Sequence, residues 1–176
     1  ALMSGDLELA ASELAEARDL HHELGSAAGE AHCLERLAEV RIAEGDMHTA
    51  NALLDQALPL ARWSMLSMHL LQRIYGTMIT AAADPSRARA IVDRAESTMG
   101  LNDACQFCSV MLAVPATIAC ARSGDLAHAR HHLAIAERSA KLWDGTAWEA
   151  ALTEARAHLA VAGGDGRAAL LFDEAA

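Results

Sequence analysis

The chain has 176 residues, of which 41 are Ala and 24 are Leu, whereas Phe, Trp and Tyr together number six. Ala and Leu are the strongest helix formers and strands favour β-branched and aromatic residues, so this composition argues against a β-sandwich, a barrel or a doubly wound sheet. The formal charge of -10 argues against a phosphate-neutralising surface, and we expect no direct contact with nucleic acid.

Targeting signals and disulfides are also not expected. No apolar run approaches the roughly 20 residues that cross a bilayer, and the first residues do not resemble a signal peptide. The four cysteines, Cys33, Cys105, Cys108 and Cys120, suit reduced thiols better than a disulfide scaffold. We therefore expect a cytoplasmic protein without membrane contact. Because the sequence starts with Ala and stops inside an apparently helical run, we expect a fragment of a larger protein.

Apolar periodicity and helix-stop residues predict nine helices along the chain. They lie near 6–24, 29–44, 47–64, 66–82, 85–98, 102–122, 125–141, 146–162 and 165–175. The helices are expected to form one array over residues 1–176. Its units lie at about 1–24, 29–64, 66–98, 102–141 and 146–176.

A sequence repeat organises these helices. Gly-Asp occurs at positions 5, 45, 124 and 164, and Ala83-Asp84-Pro85 falls between the second and third copies, so the aspartates are 40, 38, 41 and 40 residues apart. Gly favours the end of one helix, Asp caps the start of the next, and Pro suits the first helical position. Each unit is therefore predicted to be a helical hairpin.

The residues 4, 8 and 11 positions after each Asp share one helix face and follow a small, large, small order. In four units they are Ala10, Leu14 and Ala17; Ala50, Leu54 and Ala57; Ala88, Val92 and Ala95; Ala129, Leu133 and Ala136. The fifth unit fits with one residue deleted, as Ala168, Phe172 and Ala175. The residue eight positions before each of the last four Asp residues is small as well, which predicts a close crossing of the two helices in each hairpin. These residues are Ala38, Gly76, Thr117 and Ala157.

These positions resemble the tetratricopeptide repeat, whose second helix carries Ala, a large apolar residue and Ala at the same offsets. The resemblance covers nearly the whole chain and implies an all-α fold, an α-solenoid of stacked antiparallel hairpins in a right-handed superhelix. The family repeat has about 34 residues, and its first-helix aromatic is replaced here, which leaves the pitch and the groove width open. The replacing residues are Leu34, Gln72, Ala113 and Thr153.

The resemblance also implies a concave groove lined by the first helices, which takes a protein or peptide ligand. The groove positions transfer to His32, Glu35, Glu39, Ile42, Leu70, Arg73, Thr77, Thr80, Met111, Val114, Ile118, Arg122, Ala151, Glu154, His158 and Val161. We predict that the partner-binding residues are Glu35, Glu39, Arg73, Thr77, Ile118, Arg122 and Glu154. Glu35 and Glu39 occupy places where chaperone-tail clamps of the family have Lys and Asn, so a peptide or helix with an apolar stripe suits this groove better. The alternative is that these positions are merely solvated helix faces.

Units of about 40 residues rich in Ala, Leu and Arg also resemble the repeat region of large bacterial LuxR-type and AfsR-type transcriptional regulators. The favoured function is thus a non-catalytic binding scaffold, the sensor or interaction region of such a regulator in signal transduction. No acid, base and nucleophile gather in the sequence, so no catalytic residue and no cofactor are predicted. Changing both Arg73 and Arg122 to Glu is expected to weaken partner binding at a nearly unchanged melting temperature.

Two other functions stay open. Cys105-Gln-Phe-Cys108 is consistent with a thiol-responsive or metal-responsive sensor, since a helix N-terminus lowers a thiol pKa. However, the pair supplies two ligands where structural zinc takes four, and buried inert cysteines are the simpler interpretation. No other metal site is predicted. The third function is a structural oligomerisation module that forms a homodimer.

Two further groups of residues are assigned structural roles. His128, His131 and His132 lie on one predicted second helix and are expected to be solvated. Trp63, Trp143 and Trp148 stand near predicted helix ends and are expected to seal the junctions between hairpins.

Overall fold

The computed structural model describes residues 5–100, 105–143 and 145–176. These residues form nine helices and no strand, which confirms the prediction of an all-α protein. The helices are α1 (Leu7–Glu23), α2 (Ala27–Ala43), α3 (Met47–Arg62), α4 (Ser67–Thr80), α5 (Pro85–Met99), α6 (Ser109–Arg122), α7 (Leu126–Ala140), α8 (Ala147–Ala162) and α9 (Ala168–Ala175). The predicted start of the sixth helix near 102 lies outside the described residues, and the described part of that helix begins only at Ser109.

Aspartate side chains start four helices as the sequence predicts. The caps are Asp6 with the Leu9 amide (3.1 Å), Asp46 with Thr49 (3.0 Å), Asp84 with Arg87 (2.8 Å) and Asp125 with His128 (3.2 Å). Gly45 and Gly124 precede two of these caps with φ of 82°, a left-handed conformation that glycine adopts without strain.

The fifth cap is predicted wrongly. Asp165 accepts hydrogen bonds from the Arg167 amide at 3.0 Å and from the Arg167 guanidinium at 2.8 Å. Because both bonds are to a residue only two positions on, they hold a short turn, and α9 begins later, at Ala168, with Arg167 as its N-cap.

The helices pack in two layers. In one layer α2, α4, α6 and α8 contact each other in chain order. In the other layer α3 packs against α2 and α4, α5 against α4 and α6, and α7 against α6 and α8, while α1 and α9 cover the ends. This order is consistent with an all-α helical repeat. The right-handed superhelix stays a prediction.

The small, large, small positions form the contact between the layers in the middle units. Ala50, Leu54 and Ala57 have no exposed surface, and Val92 is 1% exposed at the equivalent position of α5. In the terminal helices the same positions are less buried, and Phe172 on α9 is 36% exposed. The repeat pattern therefore becomes a closed core only where a neighbour lies on each side.

Gly76 lies at a close approach of two helices that the sequence does not indicate. A Cβ atom on Gly76 would lie 2.1 Å from the Met111 carbonyl oxygen, which belongs to α6 rather than to the hairpin partner α5. Pro115 has no amide hydrogen, so this carbonyl, four residues earlier, lacks its usual helical hydrogen bond and is left to face α4. The small residue thus permits the crossing of two first helices.

The aromatic side chains near helix ends behave differently from one another. Trp63 is 91% exposed, so the prediction that it seals a junction is wrong. Trp143 does contact a neighbouring segment, since its Nε1 donates a hydrogen bond to the Phe107 carbonyl at 2.7 Å and the two ring centroids lie 4.2 Å apart. Within the described ranges, no helix combines the length and apolar character that crossing a bilayer requires.

Candidate functional site

A cavity of about 710 Å³ lies along the layer formed by α2, α4, α6 and α8. The four helices run side by side and each presents residues three or four positions apart to it, as one helix face must. All seven predicted partner-binding residues line this cavity. They are Glu35, Glu39, Arg73, Thr77, Ile118, Arg122 and Glu154. Whether they contact a ligand stays a prediction.

Of the other groove positions that the tetratricopeptide resemblance implies, all but three also line the cavity. Ile42, Thr80, Met111, Val114, Ala151 and His158 line the cavity. Leu70 is packed in the core at 5% exposure, Val161 is 58% exposed elsewhere, and His32 is exposed outside the lining. Trp143 and Trp148, to which the sequence assigns the sealing of junctions, also line the cavity, Trp143 from the turn after α7 and Trp148 from the first turn of α8.

The acidic end of the cavity is organised by Glu35, whose side chain is only 1% exposed. Arg73 donates to its Oε2 from Nε at 3.1 Å and from Nη2 at 2.9 Å, and Thr77 donates to its Oε1 at 3.0 Å. Arg73 also reaches the Met111 sulfur at 3.4 Å, so its guanidinium joins α2, α4 and α6. Glu35 and Arg73 are thus engaged by each other and by Thr77 and Met111, so they shape the wall more than they offer free charge.

Glu39 lies one helical turn beyond Glu35 and has an unusual pKa. Burial and the nearby Glu35 carboxylate raise the pKa of Glu39 to about 7, although Arg36 donates a hydrogen bond to it and Arg73 lies 3.9 Å away. A carboxyl group in this environment exchanges a proton near neutral pH. This end of the cavity therefore carries less negative charge than its composition suggests.

The middle of the cavity is apolar. Met111, Val114 and Ile118 supply it from α6, and Trp148 and Ala151 face them from α8. Val114 belongs to a core cluster of α6, α7 and α8 in which Val110 is fully buried, and the other four side chains pack against this cluster. An apolar wall next to a few convergent polar groups is the usual composition of a ligand site.

The far end of the cavity holds Arg122, Glu154 and His158. His158 lies 3.8 Å from Glu154 and its ring stacks edge-on to Phe172 at 5.1 Å. Burial lowers the pKa of His158, opposed by the nearby Glu154 carboxylate. Arg122 is exposed and has no ion pair within the described ranges, in contrast to Arg36 and Arg73. It is the cavity cation best placed to meet an acidic group of a ligand.

The cysteine pair differs from its prediction in two respects. Cys108 is the N-cap of α6, yet burial and the adjacent Cys105 thiol raise its pKa to about 11. The expected lowering by the helix N-terminus is therefore wrong for Cys108, because desolvation of a buried thiolate outweighs it. The structure also brings His69 of α4 to the pair, with Nδ1 3.3 Å from the Cys108 sulfur. Nothing in the sequence spacing indicated His69.

His132 is not solvated, contrary to the prediction for the α7 histidines. It is 4% exposed and its Nε2 lies 3.0 Å from a Glu96 carboxylate oxygen on α5. Burial lowers the pKa of His132. By contrast, His128 and His131 are exposed, as expected. His132 therefore serves the contact between α5 and α7, away from the cavity.

Comparison of the chain with protein-family models, with curated proteins and with solved structures finds no match. The resemblances to the tetratricopeptide repeat and to the repeat region of bacterial regulators therefore stay predictions that rest on positions in the sequence.

Proposed function

We propose that the chain is a non-catalytic scaffold that binds a peptide or a partner helix in the cavity between α2, α4, α6 and α8. One observation carries the proposal: seven groove residues, chosen by transfer from the tetratricopeptide pattern and spread over residues 35–154, line a single cavity. The cavity has a volume of about 710 Å³ and is lined from all four helices, so an elongated ligand in it would contact several of them.

The chemistry of the wall defines the proposed ligand. An apolar stripe packs against Met111, Val114 and Ile118, and a carboxylate next to that stripe pairs with Arg122. Arg36 and Arg73 are less suited to this role because Glu39 and Glu35 already engage them. An amphipathic helix with apolar residues three and four positions apart has the required form.

In the wider protein, this scaffold would be the sensor or interaction region of a bacterial transcriptional regulator in the cytoplasm. A ligand that bridges several first helices favours the arrangement of repeats that gives it the most contacts. It then shifts the population of that arrangement in proportion to the difference in affinity. The signal would pass through helix packing, since each repeat couples to its neighbours.

The experiment is a selection of random peptides, about four helical turns long, displayed on phage against the immobilised chain. Selected peptides are then synthesised with a fluorophore and titrated by anisotropy. We expect apolar residues at helical spacing with a neighbouring Asp or Glu. Ile118→Glu and Arg122→Glu should each weaken binding more than about tenfold, a loss of about 1.4 kcal/mol.

Arg130→Glu is the matched control, because Arg130 is an exposed arginine of α7 outside the cavity lining. It makes the same charge change as Arg122→Glu and should leave the affinity unchanged. The proposal fails if selected peptides bind the Ile118 and Arg122 variants as tightly as the wild type. Circular dichroism of each variant confirms that helix content is retained.

A further inference from the structure

A cluster of three side chains outside the cavity has the composition of a metal site. A ring nitrogen of His69 and the Cys105 and Cys108 sulfurs all lie within 4.8 Å of one another, and His69 Nδ1 is 3.3 Å from the Cys108 sulfur. The cluster joins α4 to the turn that precedes α6. It therefore depends on tertiary packing and not on the CxxC spacing alone.

The distances suit tetrahedral coordination. Zinc binds Cys sulfur at about 2.3 Å and His nitrogen at about 2.0–2.1 Å, so two ligands of one tetrahedron lie roughly 3.5–3.8 Å apart. The 3.3 Å between His69 Nδ1 and the Cys108 sulfur is slightly below that range and the other separations do not exceed 4.8 Å, so small side-chain rotations are sufficient to place an ion between the three atoms. Two thiolates and one imidazole form a soft donor set that prefers zinc to magnesium or calcium.

Backbone hydrogen bonds hold Cys105 and Cys108 in one turn, which keeps their two sulfurs near each other. The amides of Cys108 and Ser109 both donate to the Cys105 carbonyl at 3.0 Å, which closes a turn with both cysteines at the start of α6. Ser109 Oγ donates to the same carbonyl at 2.8 Å and fixes the turn further. His69 is exposed and Cys105 is half-buried, so an ion has a path from solution, whereas Cys108 closes the inner side.

We propose that His69, Cys105 and Cys108 bind one thiophilic metal ion of the zinc class, with a fourth position open to water or to an external ligand. His69 lies one turn before Arg73 on α4, and Cys108 lies three residues before Met111 on α6. Arg73 and Met111 both line the cavity. The ion would fasten these two cavity helices to each other at one end. The site does not depend on what the cavity binds.

Cobalt(II) is the probe, because it takes the place of zinc and its visible bands report tetrahedral geometry, while a near-ultraviolet band reports thiolate ligands. The chain is titrated with cobalt(II) under a phosphine reductant that keeps the cysteines reduced. We expect one equivalent to give both signals and one equivalent of zinc to abolish them. A reduced wild type that shows neither signal would overturn the proposal.

Three substitutions and two matched controls identify the ligands. Cys105→Ser and Cys108→Ser should remove most of the thiolate band. Since even a residue that only orients a ligand is worth about 10–100-fold in metal affinity, His69→Gln should weaken cobalt binding at least about tenfold. His48→Gln changes an exposed histidine of α3, and Cys33→Ser changes a buried cysteine of α2. Both controls should bind cobalt like the wild type.

His69→Gln is the decisive variant. If it binds cobalt as tightly as the wild type, the CxxC pair acts alone and the three-residue site is refuted. If the variants fail to fold, the site can still be tested in the wild type. The rate at which iodoacetamide alkylates Cys105 is measured by mass spectrometry. Zinc should slow this alkylation at least about tenfold, and an unchanged rate at saturating zinc would refute the site.

Discussion

Arg73 on α4 donates two hydrogen bonds, at 2.9 and 3.1 Å, to the carboxylate of Glu35 on α2, which is 1% exposed. The pair lies in the cavity wall and connects two neighbouring first helices. A buried carboxylate without a partner is unfavourable by several kcal/mol. The sequence alone presents Arg73 as a free cation of the groove, whose substitution leaves the stability nearly unchanged. Because Arg73 pairs with a buried carboxylate, we expect its substitution to lower the stability.

Arg73→Met should lower the free energy of unfolding by about 2–4 kcal/mol, somewhat less than the full cost of breaking a buried pair because the Arg73 side chain is 19% exposed. Urea denaturation followed by circular dichroism measures this change. Arg122→Met is the matched control and should have little effect, since Arg122 has no ion pair within the described ranges. Equal stability of the two variants would contradict the structural role of Arg73.

The double variant Glu35→Gln with Arg73→Met should recover part of the stability that Arg73→Met loses. Gln at position 35 removes the buried charge while keeping hydrogen-bonding capacity towards Thr77, which bonds to Glu35 at 3.0 Å. If the double variant is less stable than Arg73→Met, the loss in the single variant has another origin than the orphaned carboxylate.

Gly76→Ala should destabilise the protein by about 1–3 kcal/mol, the usual cost of overpacking a core. Alanine is the better helix former by about 1 kcal/mol, but its Cβ would lie 2.1 Å from the Met111 carbonyl oxygen, a backbone atom that moves only with α6. Thermal denaturation measures the effect. Gly166→Ala is the control, since nothing lies within 4 Å of a Cβ there. A Gly76→Ala variant as stable as the wild type would mean that α4 and α6 are not in such close contact.

The fold was predictable because its determinants are local. Gly-Asp places a helix stop and a cap side by side, so each repeat of that pair fixes a boundary, and Asp46 and Asp125 cap their helices as expected. The prediction failed where a side chain had a competing partner. Asp165 bonds to Arg167 instead of capping α9.

Ionisation of Glu39 should make the protein less stable as the pH rises. The pKa of Glu39 in the folded chain is about 7, above the ordinary value of 4.5. As the pH rises, the unfolded chain therefore loses the Glu39 proton at a lower pH than the folded chain does. The stabilising contribution is complete below pH 4.5 and is lost as the pH rises through 7. Between pH 5 and 8, the wild type should therefore lose stability relative to Glu39→Gln, which mimics the protonated form.

The measurement is urea denaturation of the wild type and of Glu39→Gln at pH 5 and at pH 8. Comparing the two proteins at each pH removes the contributions of His132 and His158, which are present in both. Glu13→Gln on α1, at an exposed position, is the control and should differ equally from the wild type at both pH values. A constant difference between Glu39→Gln and the wild type would show that Glu39 does not titrate abnormally.

The sequence predicts which residues line the candidate site, but not which of their charges are neutralised by a neighbour. Helical periodicity places Glu35, Arg73 and Arg122 on first-helix faces, and the structure brings these faces to one cavity. Which charges neutralise each other depends on distances between helices, and these are set by packing. The same limit explains why His69 was missed beside the cysteines, since it is 39 positions from Cys108 in sequence.

Tryptophan fluorescence tests most directly whether the cavity is the binding site. The chain has three tryptophans, of which Trp143 and Trp148 line the cavity and Trp63 is 91% exposed elsewhere. In Trp63→Phe, all tryptophan emission comes from the cavity. A selected peptide without tryptophan is titrated into this variant, and the quenching of its emission by acrylamide is followed.

We predict that the peptide lowers acrylamide quenching of the Trp63→Phe variant, with a midpoint equal to the affinity measured by anisotropy. The reciprocal variant, Trp143→Phe with Trp148→Phe, retains only Trp63 and should show no change. Unchanged quenching of Trp143 and Trp148 at saturating peptide would contradict the account, because the peptide would then bind outside the cavity.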